Sequence, residues 1–413
     1  MTCNLNPTCM MKKDQNVDNQ YLKNLNNGSS ILGAVRLKRG REKTLLLGHP
    51  WIFSGGVDHF EGKNGSLCNV YGADSTHLGI GYVNTDSNIR VRMLGFQEKS
   101  SDQLLFRLLK KSIERRKALI IDSNAFRLVN GENDGLSGLI VDQYGSVLVI
   151  QSGTLGIDLL KEEIVAALKE LVEVDAIYEK STSISRKEEG LTSLCGWLFK
   201  EVNAPILVHE NDIQFYVDVV QGQKTGFFLD QRGMREWIRP HVKGKTVLNL
   251  CAYTGGFSLH ALKAGASRVV SVDISEEACR QMQVHTELNQ LKNHEIVPLD
   301  VFEYLENCKD TFDLVILDPP AFVKAKKDLQ RGMKAYRKLN RLALSKVKPN
   351  GLLMSSSCSY FMEESLFTTL LLEASLLEKR EIKLLQRHLL APDHMKSIAF
   401  REGEYLKTLV LLC

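Results

Sequence analysis

Most of the features that would classify this chain at a glance are missing. None of its nine cysteines stands in a CxxC pair. No His/Cys grouping has ligand spacing either, so neither a disulfide framework nor a metal site is expected. No apolar run approaches the roughly 18 residues needed to cross a bilayer. The opening MTCNLNPTCMMKKDQNVDNQ contains no apolar signal core, which gives the expectation of a cytoplasmic protein. A spaced GxGxxG is absent, and GQKTG (222–226) carries Gln before its Lys-Thr, so neither a dinucleotide fingerprint nor a Walker loop is present. Charge of one sign is absent as well: 53 basic residues against 49 acidic leave a net +4. A polyanionic partner would have to be read from where those charges fall. What is present is 413 residues, 44% hydrophobic and 25% charged, an ordinary globular composition too long for one core. Two or three domains are expected.

Residues 1–33 are polar, rich in Asn and without period, and are expected to form a tail. VRLKRGREKTLLLGHPWIFSGGV (35–57) and GYVNTDSNIRVRMLG (81–95) alternate as short strands broken by Gly and Asn, predicting a β-rich module over 34–98. Its first strand is expected to carry Arg36, Lys38, Arg39, Arg41 and Lys43. SDQLLFRLLKKSIERRKALI (101–120) has helical spacing, with Ser-Asp placed to cap it. It opens a central mixed α+β module predicted over 99–220. From about residue 244, KTVLNLC, SRVVSVD, HEIVPLD, DLVILD and GLLMSSS alternate with helical stretches. That rhythm predicts a parallel, doubly wound α/β domain over 221–413.

The first of these strands runs into AYTGGFS, a glycine turn opening a helix. Gly255 and Gly256 permit close backbone approach, and the helix start offers free N–H groups. The next strand ends in Asp273, 24 residues after Asn249, where an acid can accept from both ribose hydroxyls of a nucleoside cofactor. The third strand ends in Asp300, suited to an adenine amine. The fourth ends in Asp318, followed by two prolines that present the carboxylate rigidly at the crevice.

VLNLCAYTGGF, SVDIS, LDPPAF and SSSCSY, preceded by GQKTGFFLDQR (222–232), resemble the PUA-domain-containing class I S-adenosylmethionine-dependent 23S rRNA cytosine-C5 methyltransferases. The similarity spans about residues 34–413. It implies a PUA-like RNA-binding module ahead of a Rossmann-like domain, with S-adenosylmethionine as cofactor and large-subunit rRNA as partner. The matching positions imply Cys358 as nucleophile and Asp318 as the residue holding the target base. They place Lys224, Asp230, Gln231 and Arg232 beside the cofactor, together with Asn249, Tyr253, Gly255, Gly256, Asp273, Asp300 and Asp318. Asn249 departs from the acid that many class I enzymes carry there.

The chemistry accounts for the cysteine. Carbon 5 of cytosine is a poor nucleophile, and a thiolate added at carbon 6 turns the ring into an enamine that can take a methyl group. A guanine-N7 rRNA methyltransferase is the first alternative, but N7 needs no thiol. A non-catalytic RNA-binding protein with a methyltransferase-like domain is the second. Charge placement supports an RNA partner: residues 324–348 hold ten Lys and Arg against one acid, Asp328, directly after DPPAF. Tyr336 within that run could stack on a base or simply pack.

Overall fold

The computed structural model describes residues 31–413. The expected tail lies outside the described residues up to residue 30, and Ile31–Gly33 open the first strand. The chain forms two compact units. One runs up to Ile206 and takes in Val217–Phe227 and Lys396–Arg401; the other comprises Leu207–Tyr216, Phe228–Met395 and Glu402–Cys413.

The first unit carries a six-stranded mixed sheet, from Ile31–Leu37 to Ile89–Phe96, and a five-stranded sheet, from Ala125–Asn130 to Leu194–Phe199. Val35, Leu37, Val70, Val91 and Met93 fill one core, and Leu109, Ile113, Val141, Ile150 and Leu168 belong to a second. The basic stretch expected on the first strand is divided. The strand stops at Leu37, Gly40 turns at φ 83°, and Glu42–Leu46 form a short helix that carries Lys43. The predicted 101–120 helix spans Leu104–Leu119, yet no side chain caps it. Ser101 instead accepts from the Leu104 N–H through its backbone carbonyl. Arg116 of this helix is buried against Asp134 at 2.6 Å, so its charge belongs to the core and not to a solvated face.

In the second unit the βα rhythm becomes a seven-stranded sheet. Its strands are β1 (Thr246–Leu250), β2 (Arg268–Asp273), β3 (His294–Pro298), β4 (Phe312–Leu317), β5 (Val347–Ser357), β6 (Lys383–Arg387) and β7 (Lys407–Leu412). The order is β3-β2-β1-β4-β5-β7-β6, parallel from β3 to β5, with β7 antiparallel to both its neighbours. The helices are α1 (Arg232–Ile238), α2 (Gly256–Lys263), α3 (Glu276–Leu288), α4 (Val301–Asn307), α5 (Leu329–Leu344) and α6 (Glu364–Leu377). Alternate strand residues face opposite layers. Leu248, Leu250, Val315 and Leu317 pack with Tyr336, Leu339, Phe367 and Leu370 on one side. Val247, Val269, Leu314 and Ile316 pack with Met234, Ile238, Phe257 and Ala261 on the other. Covering both faces is why these strands read as continuous apolar runs. Strand order reverses between β1 and β4, and the crevice beyond their carboxyl ends is where such sheets bind ligands.

Candidate active site

The turn after β1 is tightly wound. Cys251, Tyr253 and Gly255 all have positive φ (56°, 50° and 86°), and the turn delivers the chain into α2. A Cβ on Gly255 would lie 2.6 Å from Met282 Cγ of α3, so glycine is required by helix packing as well as by φ. Asp273, at the end of β2, clamps this turn. Its Oδ2 accepts from the Tyr253 N–H at 2.8 Å and its Oδ1 from the Ser275 N–H at 2.9 Å. Each oxygen keeps a further lone pair, so the carboxylate is fixed in place and still able to accept from a diol. His285 of α3 supports the turn from behind, with Nδ1 3.0 Å from the Thr254 carbonyl.

Asp300 caps α4, its Oδ1 accepting from the Phe302 N–H at 2.8 Å and the Glu303 N–H at 3.3 Å. That fixes the carboxylate at the end of β3, beside the end of β2. Phe228 meets Tyr253 edge to face at 5.2 Å between ring centroids, giving an apolar wall next to these acids.

Asp318 and Cys358 follow the adjacent strands β4 and β5. Both are half-buried, and the Cys358 Sγ lies 3.9 Å from the carbonyl of Pro319, the residue after Asp318. Gln231 Nε2 donates to Asp318 Oδ2 at 2.8 Å. The residues on either side of Cys358 are pinned by a buried hydroxyl cluster. Ser357 Oγ donates to the Tyr336 phenol at 3.0 Å, and the Tyr336 and Ser359 hydroxyls are 3.0 Å apart. Ser359 Oγ also accepts from the Val323 N–H at 3.2 Å, tying the loop after DPP to the loop holding the thiol. Lys407 Nζ, buried on β7, donates to the Ser359 carbonyl at 2.8 Å.

Several expected contacts are redirected. Tyr336 is fully buried at the centre of this cluster and is unavailable to stack on a base; burial pushes its phenol up, so it remains a neutral donor. Asn249 is 1% exposed and donates to Ser258 Oγ at 2.8 Å. Its amide extends a chain through Ser271 to His294, because an odd position of a doubly covered strand faces a helix, not the crevice. In this structure Asn249 serves as an internal strut. Arg232 is likewise turned inward to the buried Glu210, at 3.2 Å. Lys224 is exposed at φ 52° and, with Thr225, belongs to the first unit. Thr225 donates to Asp142 there at 2.7 Å. The motif GQKTGFFLDQR thus divides between the two units at Phe227 and Phe228.

Cys251, which reads as the last residue of the apolar run of β1, sits just past the strand end. Burial, followed by the carboxylates of Asp273, Asp318 and Asp300, pushes its thiol well above the usual range. Cys251 is thereby held as a neutral thiol.

The basic run also divides. Arg337 pairs with Glu373 (3.0 Å), Lys338 with Glu306 (2.8 Å), Arg341 with Glu378 (3.4 Å) and Lys348 with Asp313 (2.9 Å). Lys346 donates to the Cys308 carbonyl. Lys324, Lys326, Lys327 and Lys334 are exposed and form no ion pair among the described residues. Arg331, also exposed, meets only Asp328 of its own segment. The outward cations cluster at the loop and first turns after DPPAF.

A family model for S-adenosylmethionine-dependent methyltransferases matches residues 176–400, more than half of the chain. The chain belongs to that family. A PUA-like domain model matches residues 35–96, which coincide with the six-stranded sheet. "Ribosomal RNA large subunit methyltransferase I" of Shewanella amazonensis is 39% identical over 91% of this chain and 98% of that protein. The protein of the same name from Vibrio vulnificus is 37% identical over the same shares. Among solved structures, a candidate methyltransferase complexed with SAH superposes with a TM-score of 0.79 at 26% identity, covering 92% of this chain and 100% of that one. The cofactor of this methyltransferase is S-adenosylmethionine, and the site suits it: a fixed carboxylate at Asp273 able to accept from a diol, a second acid at Asp300 and a helix start at Gly256.

Proposed function

We propose that this methyltransferase modifies carbon 5 of a cytosine in large-subunit ribosomal RNA through a covalent Cys358 adduct. The observation that carries this reading is the pairing of a half-buried thiol with the DPP carboxylate at the ends of neighbouring strands, the Cys358 sulfur lying 3.9 Å from the Pro319 carbonyl. Methylation at guanine N7 or at an exocyclic amine makes no use of such a thiol. The rRNA names of the relatives, the PUA-like module and the exposed cations after DPPAF support an rRNA substrate. An enzyme with that substrate works in the cytoplasm. We further propose the functional division 34–98, 99–220 and 221–413: two RNA-holding modules ahead of one that methylates.

Bound S-adenosylmethionine supplies the electrophilic methyl group and departs as a neutral thioether. The chain's part is the rest. Cys358 thiolate adds to carbon 6, and the displaced ring electrons make carbon 5 nucleophilic. Asp318 holds the N3/N4 edge and so fixes the ring with carbon 6 against the thiolate. After transfer, a base takes the proton from carbon 5 and the electron pair returns to expel the thiolate. The target cytosine must leave its stack to meet both groups.

Incubation with labelled methyl donor and rRNA carrying 5-fluorocytidine tests the reading directly. Fluorine cannot leave as a cation, so a stable protein–RNA adduct is expected; active enzyme without an adduct overturns the covalent route.

Asp273→Asn is expected to weaken S-adenosylmethionine binding at least about tenfold in titration calorimetry, because a charged hydrogen bond contributes about 1.5–3 kcal/mol. Unchanged affinity would remove Asp273 from the cofactor site. Substitution of Lys326, Lys327 and Arg331 by Ala should lower RNA affinity and flatten its salt dependence. Removing one cation from a phosphate takes about 0.7–0.9 off the slope of log K against log salt. An unaltered slope would place the RNA path elsewhere.

A further inference from the structure

We propose that Tyr360 is the stacking surface for the RNA base next to the target cytosine. The inference rests on the rRNA cytosine-C5 reading above and names a further contact of that same site. The chain turns immediately after Cys358. The Met362 N–H donates to the Ser359 carbonyl at 3.1 Å, which leaves Tyr360 and Phe361 at the tip of the turn. Both ends of that turn are anchored. Ser359 is buried in the hydroxyl cluster and receives Lys407 at its carbonyl, and Met362 is fully buried in the core. The tip is not: Tyr360 is 54% exposed and Phe361 37%.

Such turns are normally built from Gly, Asn, Asp, Ser or Pro, and an exposed aromatic pair contributes little to folding. Among the described residues these are the only exposed aromatic side chains of the second unit. Phe361 meets Tyr360 at 86° with ring centroids 5.2 Å apart, which braces the more open ring. Charge identifies the occupant. Ser359, the residue before Tyr360, accepts from the N–H of Val323, the residue before Lys324. Lys324, Lys326 and Lys327 are exposed and form no ion pair among the described residues. An open ring beside unneutralised cations suits a nucleic-acid strand, with base on ring and phosphates on the lysines. An apolar protein surface would have to desolvate those cations without a partner.

The position gives the ring its task. Two residues of chain reach at most about 7 Å, so Tyr360 stands beside the base that the Cys358 thiol attacks. When the target cytosine leaves its stack, the adjacent base loses a stacking partner. Tyr360 replaces that partner and offsets part of the unstacking cost. The stacking role that the basic run offered to buried Tyr336 thus falls to an aromatic two residues after the nucleophile.

The test uses the full-length protein, unmethylated large-subunit rRNA and the variants Y360A, Y360L and Y360W. Y360A should weaken RNA binding and raise KM for RNA about 5- to 100-fold, the range for one lost base–aromatic stack. It should bind S-adenosylmethionine as wild type does. Its slope of log affinity against log salt should also match wild type, because the ring carries no charge. Y360W should come within about threefold of wild type, since indole stacks at least as well, whereas Y360L should resemble Y360A. A merely structural contact would not separate Trp from Leu at an exposed turn. Wild-type RNA affinity in Y360A, or equal recovery by Leu and Trp, overturns the inference, and a wild-type adduct on 5-fluorocytidine RNA then leaves the C5 reading standing. Absence of the wild-type adduct overturns the C5 reading and, with it, the placing of the target base on which the inference rests.

Discussion

Cys358→Ala is expected to abolish methyl transfer, by on the order of 10^4-fold or more, while S-adenosylmethionine binding is unchanged. Without a thiolate at carbon 6, carbon 5 never acquires the electron density to take the methyl group, so the loss falls on kcat. Cys251, although at the same sheet end, cannot substitute, because burial and the carboxylates of Asp273, Asp318 and Asp300 hold its thiol protonated. Folding should be little affected. Cys358 is half-buried, and its loop is held by Ser357, Tyr336, Ser359 and Lys407 independently of the sulfur. Single-turnover transfer of labelled methyl to rRNA, with cofactor titration in parallel, measures both expectations. Retention of even a tenth of the wild-type rate would exclude Cys358 as nucleophile.

Arg235→Met should destabilise the second unit by about 3–5 kcal/mol, the usual cost of stranding a buried charge. Glu210 is 1% exposed and meets Arg235 Nε at 2.6 Å and Nη2 at 2.7 Å, with Arg232 at 3.2 Å and His260 at 3.1 Å. Burial alone would raise its pKa; the Arg235 charge and the surrounding donors outweigh that and hold the carboxyl well below the usual range. A folded-state pKa below the unfolded one contributes stability above the unfolded value, about 4.3, which is lost as the pH falls further. In Arg235→Met the carboxyl has lost its main partner and protonates more readily. The deficit against wild type should therefore be largest near pH 7–8 and shrink toward pH 5. Amide hydrogen exchange of α1 and β1 at both pH values reads this locally. A loss under about 1 kcal/mol, or one independent of pH, would show that Arg232 alone suffices.

Much of the catalytic unit was legible from local pattern. TVLNL, RVVSVD and FDLVIL are apolar at the positions that both faces of a parallel sheet bury, except Asn249 and Ser271, and Gly255 marks the turn that only a residue free at positive φ makes easily. The acids at the strand ends followed from that register. Where local pattern misled, long polar side chains were involved. Nothing in GQKTGFFLDQR tells that Arg232 pairs with Glu210, which lies 22 residues earlier. Ser101 and Asp102 look like helix caps, yet the helix begins at Leu104 behind a left-handed Gln103. The run 324–348 reads as one basic face, but Glu373, Glu306, Glu378 and Asp313 neutralise its second half.

The strands, the acids that end them and the cysteine after β5 were fixed by local pattern, since period, turn residues and strand ends are local properties of the chain. Which polar groups meet was set by the folded core. Gln231 and Asp318 are 87 residues apart, Tyr336 and Ser359 are 23, and Lys407 and Ser359 are 48. A flexible side chain chooses its partner by proximity in the folded core, where an unpaired polar group is expensive, and nothing in its own sequence neighbourhood records that choice.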